Sequence, residues 1–182
     1  MGFWILLIVI FVLIVFVISI YNALAQLRVR CDAAWSDIDV QLKRRHDLIP
    51  NLVETVKGYA AHEKGTFENI AKFRSAAMQA TAPDQRIAAE NQLTTALRGL
   101  LAVAENYPEL KANEQFMSLQ NSLREVEDAL QNSRRYYNAV VRDLNTKIVT
   151  FPSNILAGMF GFTPRAYFEV EAGDRANVQV KF

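Results

Sequence analysis

The stretch FWILLIVIFVLIVFVISI occupies residues 3–20 and contains one polar residue, Ser19. At about 1.5 Å per residue, a helix of this length extends roughly 27 Å, close to the ~30 Å hydrocarbon thickness of a bilayer. The first charged side chain of the sequence is Arg28. The stretch therefore predicts one transmembrane helix, and we expect residues 1–25 to form an anchor whose partner is the lipid bilayer.

Three other interpretations of this segment fit its residues less well. A cleavable signal peptide begins with basic residues, and none precedes Phe3, although Ala23-Leu24-Ala25 fits a small-residue cleavage pattern. A lipoprotein anchor needs small residues before its cysteine, whereas Val29-Arg30 precede Cys31. A core helix of a small domain would carry a polar face. Cleavage after the small residues stays open as the alternative to a retained anchor.

The charges that flank the anchor predict its orientation. Arg28 and Arg30 follow the apolar stretch, with Lys43-Arg44-Arg45 further on, and no charged side chain lies on the other side. The positive-inside rule then places the soluble domain in the cytoplasm and the N-terminus outside. The single cysteine excludes an intramolecular disulfide, which fits a reducing compartment.

The overall charge argues against nucleic acid as a partner. The chain has 20 basic and 19 acidic residues, for a net charge of +1. These charges are interleaved and form no basic stripe, whereas neutralising a phosphate backbone requires a concentration of Lys and Arg.

The residues after the anchor predict a long helix, about 21–60, that continues from it. Apolar residues recur every three or four positions, which is one helical stripe. Cys31 and Trp35 lie on this stripe, and we interpret both as packed core residues. Pro50 lies inside the helix and predicts a kink near residues 46–50, because proline removes one backbone hydrogen bond.

Three further helices follow. Gly65 suits a helix C-terminus and Thr66 a cap for the next helix, 66–80; alternatively the first helix continues through Gly65. Pro83 predicts the first turn of a helix over about 84–106. The last helix is expected to begin near Pro108 and to reach about Val149.

The pattern changes after residue 150. A turn is expected at Phe151-Pro152-Ser153-Asn154, with Ser153 capping a short helix that ends near Met159. Tyr167–Val170 and Val178–Phe182 could form short extended segments, but these are not enough for a core sheet. We expect this tail, residues 151–182, to pack on the rest of the protein, or else to dock on a partner or a membrane surface.

Four amphipathic helices with short connections predict an all-α fold, an antiparallel four-helix bundle over residues 26–150. The long first and last helices would extend beyond the middle two as a stem of coiled-coil type.

The segment DIDVQLKRRHD holds the first candidate metal ligands, Asp37, Asp39, His46 and Asp47. Their spacing distributes them around the helix. Di-iron bundles require a Glu three residues before each His, and Lys43 stands there before His46. We therefore interpret this segment as a solvated or salt-bridged helix face.

His62-Glu63 begins like a zinc-protease motif, but the second His of HExxH is replaced by Thr66. We therefore assign no metal ligand and no cofactor. His46, Asp47 and His62 lie near the Pro50 kink, and a small-ligand or metal sensor at these residues stays the alternative hypothesis.

Catalytic motifs are not apparent. The sequence has no GxSxG, no phosphate-binding glycine loop and no dinucleotide fingerprint. The paired carboxylates Glu125, Glu127 and Asp128 lie on a predicted helix rich in Arg and Asn, and we interpret them as a solvated face. We therefore assign no catalytic residue and expect no enzymatic activity.

Three segments resemble the LemA family of bacterial membrane proteins: residues 21–70, YNALAQLRVRCDAAWSDIDVQLKRRHDLIPNLVETVKGYAAHEKGTFENI; the helix end RRYYNAVVRDLN, residues 134–145; and FPSNILAGMFGFTPRAYFEVE, residues 151–171. The sequence departs from the family at Cys31, where an aliphatic residue is more usual, and at Phe73-Arg74-Ser75. The resemblance implies a short external N-terminus, one transmembrane helix of the bacterial inner membrane and a helical-bundle domain. It supplies no catalytic residues.

These observations together predict a membrane-anchored scaffold or interaction protein that forms a homo-oligomer. An accessory subunit of a membrane protease or envelope-stress system is a further alternative, with an unidentified membrane protein as its partner.

Overall fold

The computed structural model describes residues 1–168, and the regular secondary structure of this part of the chain is helical, without a strand. The all-α prediction is therefore confirmed for the described residues, whereas the antiparallel four-helix arrangement stays a prediction. The helices are α1 (Gly2–Lys57), α2 (Lys64–Gln79), α3 (Pro83–Glu105), α4 (Pro108–Lys111), α5 (Glu114–Val149) and α6 (Ser153–Met159).

The described residues form two compact units. The first comprises residues 1–39 and 131–167, and the second comprises residues 40–130 with Phe168. Both α1 and α5 contribute residues to each unit. The boundaries 1–25, 26–150 and 151–182 inferred from the sequence stay a prediction.

Helix α1 is continuous from the apolar stretch into the domain, as the sequence predicts. It runs for 56 residues, and Pro50 lies inside it without ending it; a kink at Pro50 stays a prediction. Within the described part of the chain, α1 is the helix long and apolar enough to cross a membrane. Its most apolar 18-residue window has a mean hydropathy of 3.4, and only 6% of that window is buried. This exposure is the opposite of what a core helix would show.

The connection between α1 and α2 differs from both sequence-based alternatives. Helix α1 ends at Lys57, before Gly58, and Gly65 lies inside the first turn of α2. Thr66 does not cap α2. The residue at the N-cap position of α2 is Glu63, and its carbonyl oxygen accepts a hydrogen bond from the Thr66 N–H at 3.1 Å. The sequence pattern allowed the first helix to end at Gly65, but α1 ends before the preceding glycine of the chain, Gly58.

Helix α3 begins as predicted, with Ala82 before it and Pro83 in its first turn. The last long helix does not. The single helix expected from Pro108 is divided into α4 and α5, because Asn113 provides a new start. The Asn113 side-chain oxygen accepts a hydrogen bond from the Phe116 N–H at 2.9 Å, which satisfies one of the unpaired donors of the first turn of α5.

The second unit has an apolar core to which α1, α2, α3, α4 and α5 all contribute. Its most buried members are at most 1% exposed, and they are Ile49, Leu52, Val56, Ala60, Ile70, Ala77, Leu93, Leu100 and Leu110. Several of these are positions of the helical stripes read from the sequence. Tyr59 lies at the end of the apolar stripe read from the sequence for the first helix, but it is exposed, and its neighbour Ala60 is buried instead.

In the first unit, α1 and α5 share an aromatic contact. The rings of Trp35 and Tyr137 lie 5.3 Å apart at 62°. Cys31 is completely buried, and burial raises the pKa of its thiol above the ordinary value. Both residues are therefore packed, as the stripe predicts.

Ser153 has a different role from the one expected. It lies in the first turn of α6 but makes no cap there. Its hydroxyl lies 2.6 Å from the Lys147 carbonyl oxygen and 2.9 Å from that of Thr150, so it serves the carbonyls at the end of α5. Tyr167 forms no strand, and the remainder of the two extended segments, from Glu169 onward, lies outside the described residues.

Candidate functional site

A buried cluster of charged side chains lies in the second unit. Arg45 on α1 and Glu90 on α3 are both completely buried. Arg45 Nη1 donates to Glu90 Oε2 at 3.2 Å, and Arg45 Nη2 donates to the Thr94 hydroxyl at 2.7 Å. The Thr94 hydroxyl in turn donates to the Glu90 carbonyl oxygen at 2.9 Å. The Arg45 guanidinium is thus bound by the side chains of Glu90 and Thr94, which lie one turn apart on α3.

His46 completes the inner part of the cluster. Its Nε2 lies 2.8 Å from Glu90 Oε1, a close contact whose geometry is not that of a well-aligned hydrogen bond. The residue is 6% exposed. The His46 carbonyl oxygen accepts a hydrogen bond from Arg74 Nε of α2 at 2.9 Å. Glu90 therefore contacts Arg45 with one carboxylate oxygen and His46 with the other. The hydrogen bond from Arg74 connects α2 to the same turn of α1.

Glu127 of α5 supplies the outer carboxylate. Its Oε1 lies 2.9 Å from Arg45 Nε, again at close range but bent away from hydrogen-bond geometry. The Glu127 side chain is 34% exposed, so the cluster reaches the surface of the unit at this point. A cavity of about 280 Å³ adjoins it, lined by Thr94, Leu97, Arg98, Leu101, Gln120, Leu123, Arg124 and Glu127.

The electrostatics of this cluster favour a structural role. Burying an ion costs several kcal/mol, and only close partners repay that cost. Arg45 has such partners on α3 and α5, so separating these helices would leave its charge unpaired. The cluster contains no Ser–His or Cys–His pair and no group of oxyanion donors. Arg45 therefore has these partners only when α1, α3 and α5 pack in this register.

Sequence reasoning missed Arg45 and Glu90, although a signal was present. Arg45 lies three residues after Leu42 and four before Ile49, and both neighbours are buried stripe positions. Glu90 lies three residues from Ile87 and from Leu93 on the stripe of α3. A charged residue at a stripe position of each helix indicates a buried pair, but only the fold shows which residues meet.

The candidate metal ligands do not come together. Asp37, Asp47 and His62 are exposed, Asp39 is half-buried, and His46 faces Glu90. Asp47 Oδ2 instead pairs with Lys43 Nζ at 2.9 Å on the surface of α1. Within residues 1–168, no three His, Cys, Asp or Glu side chains form a group that could hold a metal ion. The structure thus does not join His46, Asp47 and His62 into the proposed sensor site.

The segment Asp37–Asp47 was interpreted as a solvated or salt-bridged helix face, and ion pairs are present: Lys43 pairs with Asp47 at the surface, and the buried Arg45 pairs with Glu90. The interpretation of Glu127 as part of a solvated face needs correction, because its carboxylate contacts Arg45. Glu125 and Asp128 are exposed as expected. Arg45 and Glu127 thus turn toward each other inside the unit, whereas Arg44, Glu125 and Asp128 face water.

The second notable surface is the exposed apolar part of α1. From Phe3 to Phe16 every large apolar side chain is at least 42% exposed. A protein in water would not leave so many contiguous apolar side chains uncovered. An apolar helix of membrane-spanning length that continues into further helices defines a membrane-associated protein whose described residues, 1–168, form helices and no strand.

Comparison with known proteins identifies the family. The profile of the LemA family matches residues 34–182, so the chain belongs to the LemA family. Magnetosome protein MamQ 2 of Paramagnetospirillum magneticum is 28% identical over 181 residues, covering 85% of this chain and 66% of the relative. Magnetosome protein MamQ of Magnetospirillum gryphiswaldense is 26% identical with the same coverage.

A third relative carries the family's name. Protein LemA of Metamycoplasma hominis is 26% identical over 149 residues, covering 80% of this chain and 67% of the relative. The chain therefore spans about two thirds of the length of these curated relatives. The resemblance read from the sequence is confirmed.

Proposed function

We propose that the chain is a membrane-anchored, non-enzymatic scaffold or interaction protein that self-associates. The observation that carries this proposal is the continuity of α1, which joins an 18-residue stretch of membrane-spanning character, only 6% of it buried, to the core of a helical domain without a linker. A helix without a break transmits position and orientation from the bilayer to the domain, which suits a scaffold.

The absence of catalysis is part of the proposal. In this cluster the described fold buries Arg45, His46 and Glu90, with the half-buried Thr94 beside them, and the contacts of Arg45 are those of a structural ion-pair network. The relatives' names, magnetosome protein MamQ and protein LemA, designate no enzymatic reaction.

The proposed location is the bacterial inner membrane, with one pass, an external N-terminus and a cytoplasmic domain. Arg28 and Arg30 support this orientation, because basic residues beside a transmembrane helix favour the cytoplasmic side.

Self-association is supported by physical reasoning about the anchor. Confinement to a bilayer restricts copies to a plane and raises their effective concentration, so weak contacts between identical helical surfaces become sufficient for assembly. Extraction of the full chain in native lipid discs, followed by mass measurement of single particles, tests this. We expect particles containing two or more copies over a tenfold range of expression.

A uniform single-copy mass at every expression level would contradict self-association while leaving the anchor intact. A chemical cross-link between copies in unextracted membranes provides the control, because it does not depend on solubilisation. Absence of cross-linked dimers there, together with single-copy discs, would reduce the proposal to a monomeric membrane-anchored protein.

A further inference from the structure

Helix α6 has an inverted distribution of side chains. Its small residues Ser153 and Ala157 are buried, whereas Ile155 is 55% exposed and Met159 is 73% exposed. Ile155 and Met159 are four residues apart and share one helical face. A short helix on the surface of a water-soluble domain normally shows the opposite arrangement.

The apolar character extends beyond α6. Phe151 before it is 80% exposed, and Phe160 after it is 48% exposed. The whole segment FPSNILAGMFGF, residues 151–162, contains no charged side chain. Exposed apolar side chains on a segment without charge form a surface that water does not suit.

This surface lies beside the end of the apolar stretch of α1. The rings of Phe160 and Phe162 pack on the ring of Tyr21 at 5.0 Å and 5.8 Å, both edge-on. Tyr21 directly follows Ile20, the last residue of the apolar stretch. Tyrosine is enriched at the boundary between hydrocarbon and headgroups. The contact therefore places the C-terminal end of α6 at the level where the proposed span ends.

Positive charge lies next to the same surface. Arg28 and Arg165 line a cavity of about 130 Å³ together with Gly161, Phe162 and Thr163. Two contacts hold Arg165 in place. Its Nη1 pairs with Asp32 Oδ1 at 2.7 Å, and its carbonyl oxygen accepts a hydrogen bond from Asn145 Nδ2 at 2.9 Å. Arg28 is eight residues beyond Ile20, roughly 12 Å along the helix, which is within reach of lipid phosphates for a long side chain.

We infer that residues 151–162 form a second membrane contact: the apolar face of Ile155 and Met159, with Phe151, inserts into the interfacial layer of the bilayer beside the anchor. The occupant of this face is lipid, because the segment that carries it packs through Phe160 and Phe162 on Tyr21, at the end of the apolar stretch, and two arginines lie beside its Phe162 end. Apolar side chains facing the acyl boundary with basic residues at the headgroups are the arrangement of interfacial helices. The inference rests on the proposed membrane anchor.

Site-directed spin labelling of the full chain in vesicles of phosphatidylcholine and phosphatidylglycerol tests this inference. The background is Cys31→Ala, since Cys31 is the only native cysteine. Single cysteines replace Ile155, Met159, Phe11 in the anchor and Glu105, an exposed residue at the end of α3. The readout is the ratio of collision rates with oxygen, which partitions into lipid, and with a water-soluble nickel chelate.

We expect labels at 155 and 159 to collide preferentially with oxygen, as the label at 11 does, while the label at 105 collides with the nickel chelate. Water-like labels at 155 and 159 with a lipid-like label at 11 would overturn the inference and leave the anchor standing. Labels at 155 and 159 shielded from both reagents would indicate a protein occupant and would also overturn it. A water-like label at 11 would overturn the anchor itself.

Discussion

At the residue scale, the central feature is Arg45, whose side chain is completely buried yet charged. It contacts Glu90, Thr94 and Glu127. Such a residue adds little stability relative to a well-packed apolar one, but removing one of its partners leaves an unpaired charge in the core.

We predict that Glu90→Leu and Arg45→Met each lower the free energy of unfolding by about 3–5 kcal/mol. Denaturant unfolding in detergent, followed by circular dichroism, measures the change. The double variant is expected to lose less than the sum of the two, because no unpaired ion of that pair remains.

The matched control is Lys43→Ala on the same helix. Lys43 pairs with Asp47 on the surface, with both side chains more than 60% exposed. An exposed pair contributes about 0–1 kcal/mol, so this variant should unfold almost as the native chain does. Losses below 1 kcal/mol at both Arg45 and Glu90 would show that the cluster is not the structural element described above.

The thiol of Cys31 gives a second prediction at this scale. Burial raises the pKa of Cys31 above its ordinary value of 9.0; Arg165 opposes this shift, and Asp32 and Asp143 add to it. The unfolded chain therefore releases the thiol proton at a lower pH than the folded chain. As a result, stability should fall as the pH rises above about 9, because the folded state binds more protons there.

The measurement is the difference in unfolding free energy between pH 7 and pH 9.5 for the native chain and for Cys31→Ala. The native chain should lose more stability over this interval, since other titrating groups are common to both proteins. An equal loss in the two proteins would contradict the assigned protonation of Cys31.

At the scale of single elements, the start of α5 depends on Asn113. Its side-chain oxygen accepts from the Phe116 N–H, and its side-chain nitrogen donates to the Tyr59 hydroxyl at 3.1 Å. We predict that Asn113→Ala destabilises the protein by about 1 kcal/mol, the usual contribution of a helix cap. Thermal or denaturant unfolding checks this value.

Two variants separate the contributions of Asn113. Asn113→Asp keeps the capping oxygen and should retain most of the stability, and Tyr59→Phe removes only the hydroxyl contact. The cap is contradicted if Asn113→Asp, Asn113→Ala and Tyr59→Phe all lower the free energy of unfolding by the same amount. In that case the contact between the Asn113 amide and the Tyr59 hydroxyl contributes more stability than the cap.

The helices also show which features a sequence pattern can predict. The bounds of α3 and the continuity of α1 follow from local information: apolar spacing, Pro83, and an uninterrupted apolar stretch. The division at Asn113 and the chain turn at Gly58 were missed, because several residues nearby can cap or break a helix with similar energies. Ser153 has capping chemistry, but it serves the helix before it.

At the scale of the whole molecule, the sequence identifies a long apolar N-terminal helix, the helical secondary structure of residues 1–168 and the LemA family. The contact between Arg45 and Glu90 could not be predicted, because these residues are 45 positions apart and meet only after the helices pack. The exposure of Ile155 and Met159 on α6 could not be predicted either, because the sequence shows only that the segment is apolar. Its position beside Tyr21 required the ring contacts of Phe160 and Phe162.

The most direct test of the account is the intact mass of the protein recovered from membranes washed with alkaline carbonate, which removes peripheral proteins. A retained anchor predicts that the protein stays in the washed membranes with a mass of 20.6 kDa for the full chain, and that Val9→Lys with Val12→Lys releases it, because charges at the centre of a span are costly. Recovery in the wash, or a mass that lacks residues 1–25, would contradict the membrane-anchored scaffold.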